Sequence, residues 1–117
     1  MALGQKRLVL GLVAVQLGDA LFNAIPNQWL IDDLDHLGFP QDLGFIFPVI
    51  KSGSAVGLLV GLKRPRIGQL TALALITYFV AAIAFHARAR DRLPSYVPAV
   101  AMLAWSTMAL RAYRLES

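Results

Sequence analysis

Cysteine is absent from this chain, which excludes disulfides, thiol catalysis and Cys-ligated zinc or iron–sulfur clusters. Histidine occurs only twice. His36 and His86 are far apart in the expected layout and do not form a metal motif. No Ser-His-Asp arrangement and no Gly-rich phosphate loop is present. Charge is also scarce. Only 15% of the residues are Asp, Glu, Lys or Arg, against about 25% in a typical soluble domain. So few charges cannot cover a water-exposed globule, and the expected solvent is lipid. The sequence pI near 10.0 would suit nucleic acid, but Lys and Arg gather at the ends of apolar runs. That placement is a topology signal, and no nucleic-acid partner is expected.

What the chain does have is apolar length. It is 57% hydrophobic with a mean hydropathy of +0.60. Four apolar runs are expected as membrane spans, at about 8–25, 43–62, 67–85 and 96–112, within a single domain over 1–117. Each approaches the ~20 residues that cross a hydrocarbon core. The runs lack period-two alternation, and lipid requires internally satisfied backbones, so helices are expected. The fold class is therefore all-α, an integral membrane four-helix bundle. The first run resembles a signal peptide in length. It lacks a small-residue cleavage site, and its polar residues recur at helical spacing, so it reads as a span.

Basic residues set the expected orientation. Lys6, Arg7, Lys63, Arg64, Arg66, Arg111 and Arg114 fall on one side, with Arg88, Arg90 and Arg92 on the other. The excess places both termini in the cytoplasm, in a bacterial inner (plasma) membrane. Asn27 to Gly38 then forms the outer loop and reads as a short amphipathic helix. Asn27 caps it, Trp29, Leu30, Leu34 and Leu37 share a face, Gly38 ends it and Pro40 follows.

Two charges interrupt the apolar runs. Asp19 and Lys51 each lie about two residues outside the centre of a run, or roughly 3 Å from the midplane at about 1.5 Å per residue. Antiparallel packing of the first two spans would set them level. Either charge costs about 2.5–3.5 kcal/mol at a helix centre, while each Leu, Ile, Val or Phe returns only about 0.3–0.6. Pairing, a wet cavity or neutralisation reduces that cost. Gln16, Asp19 and Asn23 share one helical face, as do Thr71, Tyr78 and His86. A polar pocket of Asp19, Lys51, Asn23, Tyr78 and His86 is therefore expected as a ligand or proton site. The competing reading is that Asp19 and Lys51 only fix helix register. No catalytic residue can be assigned. Gly53, Gly57 and Gly61 repeat every four residues as a small-residue ridge for close helix packing, inside the bundle or with another copy. Pro48 removes a backbone donor one turn before Lys51.

The stretches Leu37-Gly-Phe-Pro40, Val49-Ile-Lys-Ser-Gly-Ser-Ala-Val-Gly-Leu58, Lys63-Arg-Pro-Arg66 and Tyr78-Phe-Val-Ala-Ala-Ile-Ala-Phe-His86 resemble the DoxX-like family of small four-helix membrane proteins. The resemblance runs from about Leu8 to Arg111. It implies a four-helix bundle, and some relatives are linked to thiosulfate–quinone oxidoreduction or to membrane complexes that handle redox stress. The family supplies no catalytic signature to carry over. The leading functional expectation is an accessory or binding subunit for a quinone-like lipophile, beside a redox complex. No cofactor is required; quinone or haem would be the candidates. A structural or assembly subunit, as a homo-oligomer or within a larger complex, is the first alternative. A compact isomerase or hydrolase is the second.

Overall fold

A computed structural model describes residues 1–24, 32, 35–38 and 46–116, the side chains of Asn23, Ala24 and Ser95 excepted. Among these residues the chain is all-α, with four long helices and no strand. They are α1 (Leu3–Ala24), α2 (Ile46–Gly61), α3 (Pro65–Arg88) and α4 (Leu93–Arg114). The helices outrun the apolar segments at several ends, because backbone hydrogen bonding continues into polar termini. Proline marks the starts. Pro65 opens α3 and Pro94 lies in the first turn of α4, where a missing N–H has no intrahelical use. Pro48 is the third residue of α2, so it too falls in a first turn and breaks no internal bond beside Lys51.

Consecutive helices pack antiparallel, α1 on α2, α2 on α3 and α3 on α4, and a narrower α1–α4 interface closes the ring. Val9, Leu12 and Val13 from α1, Ala55 and Leu58 from α2, Leu75 and Phe79 from α3, and Ala109 and Tyr113 from α4 form the core. Two polar contacts pin it. The Tyr113 hydroxyl donates to the Leu58 carbonyl at 2.5 Å, and the Trp105 indole N–H donates to the Leu8 carbonyl at 2.8 Å. The Trp105 ring lies against Gly11, where a Cβ would come within 2.9 Å. Trp105 is therefore an α1–α4 wedge.

The glycine ridge is spent inside the chain. A Cβ on Gly57 would meet the Thr71 hydroxyl at 2.2 Å, and one on Gly61 would meet the Gly68 Cα at 2.5 Å. Gly68 in turn leaves room for the Tyr113 ring, 2.4 Å from its would-be Cβ. The α2–α3 crossing at the terminal end of the bundle thus depends on three missing side chains and one large ring. Gly53 differs, with nothing within 4 Å of its would-be Cβ.

Of the expected amphipathic segment, Asp32, Asp35 and His36 are helical and Gly38 takes a φ of +71°. The Gly38 N–H donates to the Asp35 carbonyl at 3.1 Å, a left-handed turn that glycine adopts without strain. Asn27, Trp29, Leu30, Leu34 and Pro40 lie outside the described residues.

Gly61→Val would drive a branched side chain into the Gly68 backbone and the Tyr113 ring. Chemical unfolding followed by helical circular dichroism should show a loss of roughly 1–3 kcal/mol or more. Gly53→Ala, with open space at its Cβ, should be neutral or stabilising by up to about 1 kcal/mol. Equal losses at both positions would contradict the packing described.

Candidate functional site

Helices α1, α2 and α3 each bring one polar group to the same level. The Lys51 ammonium of α2 donates to Asp19 Oδ2 of α1 at 3.2 Å. It also lies 5.7 Å from the centroid of the Tyr78 ring on α3, within cation–π range. The two partners differ in exposure. The Lys51 side chain is 12% exposed and that of Asp19 is 44% exposed. The cation therefore points into the helix layer, and its carboxylate partner faces outward. Tyr78 is held edge-on by Phe47 and Phe79, at 6.3 and 5.1 Å between centroids.

Antiparallel packing of the first two helices sets the pair level, as expected. Asp19 lies roughly 8 Å beyond the midpoint of α1, at about 1.5 Å per residue. The helix extends further at its N-terminus than the apolar run suggests. Lys51 falls in the second turn of α2. The cluster consequently sits in the half of the bundle that carries the α1–α2 connection.

Gln16 belongs beside this cluster. It lies one turn from Asp19 on the same helix and is fully buried. Among the described residues neither its amide nitrogen nor its amide oxygen has a hydrogen-bond partner. The Ser106 hydroxyl, buried in α4, shares that condition. Its place on the Asp19 face was legible in the sequence, but its complete burial was not.

The remaining expected residues separate. His86 lies eight residues past Tyr78, or roughly 12 Å along α3, and belongs to a second cluster. Its Nδ1 faces Asp91 Oδ2 at 2.5 Å, while His36 Nε2 contacts Asp91 Oδ1. A carboxylate only accepts, so both facing ring nitrogens carry a proton. His36, whose side chain is 55% exposed, is tied through Asp91 to the end of α3. Arg90 makes this possible. It adopts φ +55°, and the turn donates from the Arg90 N–H to the Ala87 carbonyl and from the Asp91 N–H to the His86 carbonyl, both at 3.1 Å. That is a Schellman ending with arginine where glycine is usual. It folds Asp91 back over His86, whose ring also meets Tyr96 at 5.7 Å. Hydrogen bonds from His86, then from His36, hold the Asp91 carboxyl below its ordinary 3.8. No group of three His, Cys, Asp or Glu among the described residues is arranged to hold a metal ion. Here both ring nitrogens are directed at the carboxylate rather than at a common centre. The side chain of Asn23 lies outside the described residues.

Beside the first cluster, α2 and α3 border an open groove of about 310 Å³, lined by Ile50, Gly53, Ser54, Leu70, Thr71, Ala74 and Leu75.

The four-helix order, the charge in the second helix and the histidine near the end of the third point to a known group. The family model described as the DoxX-like family matches residues 8–109, and the chain belongs to that family. No curated protein and no solved structure matches.

Two outcomes follow from this geometry. Gln16→Leu replaces an unpaired buried amide by an apolar group of similar length, and unfolding should show a gain of about 1–3 kcal/mol; a loss would contradict an unpaired amide. The depressed Asp91 pKa stabilises the fold above the unfolded value near 3.8, and this contribution disappears as pH falls through the folded value. Wild type should therefore exceed Asp91→Asn in stability at neutral pH, and acid titration of both should bring them together. A gap that stays constant to low pH would rule out this linkage.

Proposed function

We propose that this protein is an integral membrane four-helix bundle that binds the polar head of a quinone-like lipophile at Asp19, Lys51 and Tyr78. It would serve as an accessory or binding subunit of a membrane redox complex, with both termini cytoplasmic. The membrane reading is supported by α3, which is long and apolar enough to cross a bilayer, with a mean hydropathy of 2.0. Only 17% of its apolar window is buried by the rest of the chain. A soluble core helix of that hydropathy would be covered by protein. The other helices also turn apolar side chains outward, including Leu17 and Leu21, Val49 and Val56, and Val97 and Met108. The helix α2 is apolar but shorter, at 16 residues.

The observation that carries the binding reading is the Lys51 ammonium, turned into the helix layer toward Asp19 and Tyr78. Intramembrane charges are expensive, and they mark ligand or ion sites more often than they build folds. A quinone carbonyl accepts hydrogen bonds, and Lys51 supplies a charged donor beside an aromatic face. Gln16 offers both a donor and an acceptor one turn deeper. Quinone is preferred to haem, because His86 sits apart from this cluster and its Nδ1 is directed at Asp91. The assembly alternative loses its main surface, since Gly57 and Gly61 pack against Thr71 and Gly68 within the chain. The spacing of Asp19, Lys51 and Tyr78 defines no bond-making step, so binding is preferred to isomerase or hydrolase activity.

Native mass spectrometry on protein released gently from its own membranes tests this reading. Wild type should carry a reproducible small-molecule mass that is lost in Lys51→Met while the helical signal is retained. A wild-type chain free of any lipophile would contradict it.

A further inference from the structure

We infer that the α2–α3 groove holds the hydrocarbon tail of the molecule whose head sits at Lys51, so that the ligand is a lipophile with a linear isoprenoid or acyl chain. This rests on the head site proposed above and adds the class of tail.

Position is the first argument. Ile50 lines the groove and immediately precedes Lys51, and Tyr78 lies one turn beyond Ala74 on the α3 wall. A head held at Lys51 and Tyr78 therefore places its tail at one end of the groove. The far end is shut where Gly57 meets Thr71.

Chemistry is the second. Among the described residues, the only side-chain polar atoms on the groove walls are two hydroxyls, and each is turned into its own helix. Ser54 Oγ donates to the Lys51 carbonyl and Thr71 Oγ1 donates to the Ile67 carbonyl, both at 2.8 Å. Both hydroxyl protons are thus already used, which suits hydrocarbon. Size is the third. The groove offers about 310 Å³. A single flexible chain suits that volume, and Gly53, with nothing within 4 Å of its would-be Cβ, leaves it open.

The test uses two quinones with the same head, one with a long isoprenoid tail and one with a methyl in its place. Their affinities are measured for the full chain in lipid nanodiscs, with the tailed quinone's partition into empty nanodiscs subtracted. Wild type should bind the tailed quinone at least tenfold more tightly. Gly53→Leu fills the groove and should abolish that advantage, leaving tail-less binding within about twofold. Ala74→Leu fills it from the opposite wall and should do the same, which guards against a folding defect in either variant. A tail advantage that survives both substitutions overturns the inference. Wild type that binds both quinones equally overturns the tail alone and leaves the head site standing. Wild type that binds neither overturns both.

Discussion

The contact between the Lys51 ammonium and the Asp19 carboxylate sets the terms for the rest of the bundle. An ammonium inside a helix layer loses most of its water, and a carboxylate at 3.2 Å returns part of that free energy. A pair of this kind adds little net stability compared with two apolar side chains of similar volume. What it does is penalise every arrangement of α1 and α2 that separates the charges. Sliding α1 by one turn, about 5.4 Å, would break the contact between them. Tyr78 extends the constraint to a third helix, since its ring faces the same cation.

The bundle divides along its length. At the terminal end, Gly57, Gly61 and Gly68 bring α2 and α3 into near backbone contact, and the Tyr113 ring fills the space that remains. Its hydroxyl then ties α4 to α2 through the Leu58 carbonyl. At the other end α2 and α3 border the open groove, and polar groups collect: Gln16, Asp19, Lys51 and Tyr78 in the layer, and His36, His86 and Asp91 beyond it. Close packing at one end fixes the register of the two helices that border the groove. Arg90 has a related role at the surface. Its left-handed turn is costly for a residue with a Cβ, and it places Asp91 between two histidines from separate parts of the chain.

Much of the architecture was legible because helix length and apolar runs coincide. The Asp19–Lys51 level was legible because antiparallel neighbours of similar length must place such charges side by side. Three features were not. Tyr113 and Gly68 each look ordinary in sequence, and only the rotation of α4 about its axis makes one fill the space left by the other. Asp91 reads as one more charge in a basic turn, and the Schellman ending was hidden because arginine stands where glycine would announce it. His36 and His86 meet through that carboxylate across 55 and 5 residues of separation, which no local spacing encodes. The expected pocket therefore resolved into two clusters, because eight residues of α3 carry His86 out of reach of Lys51.

The central claim is that Asp19 and Lys51 act as a unit, and a double-mutant cycle tests it most directly. Asp19→Asn, Lys51→Met and the double variant would each be unfolded chemically in the same lipid environment. Each single variant should lose more than the double variant, with a coupling of about 0.5–3 kcal/mol. Strictly additive losses would contradict it, and would leave two separate polar residues where a shared site has been described.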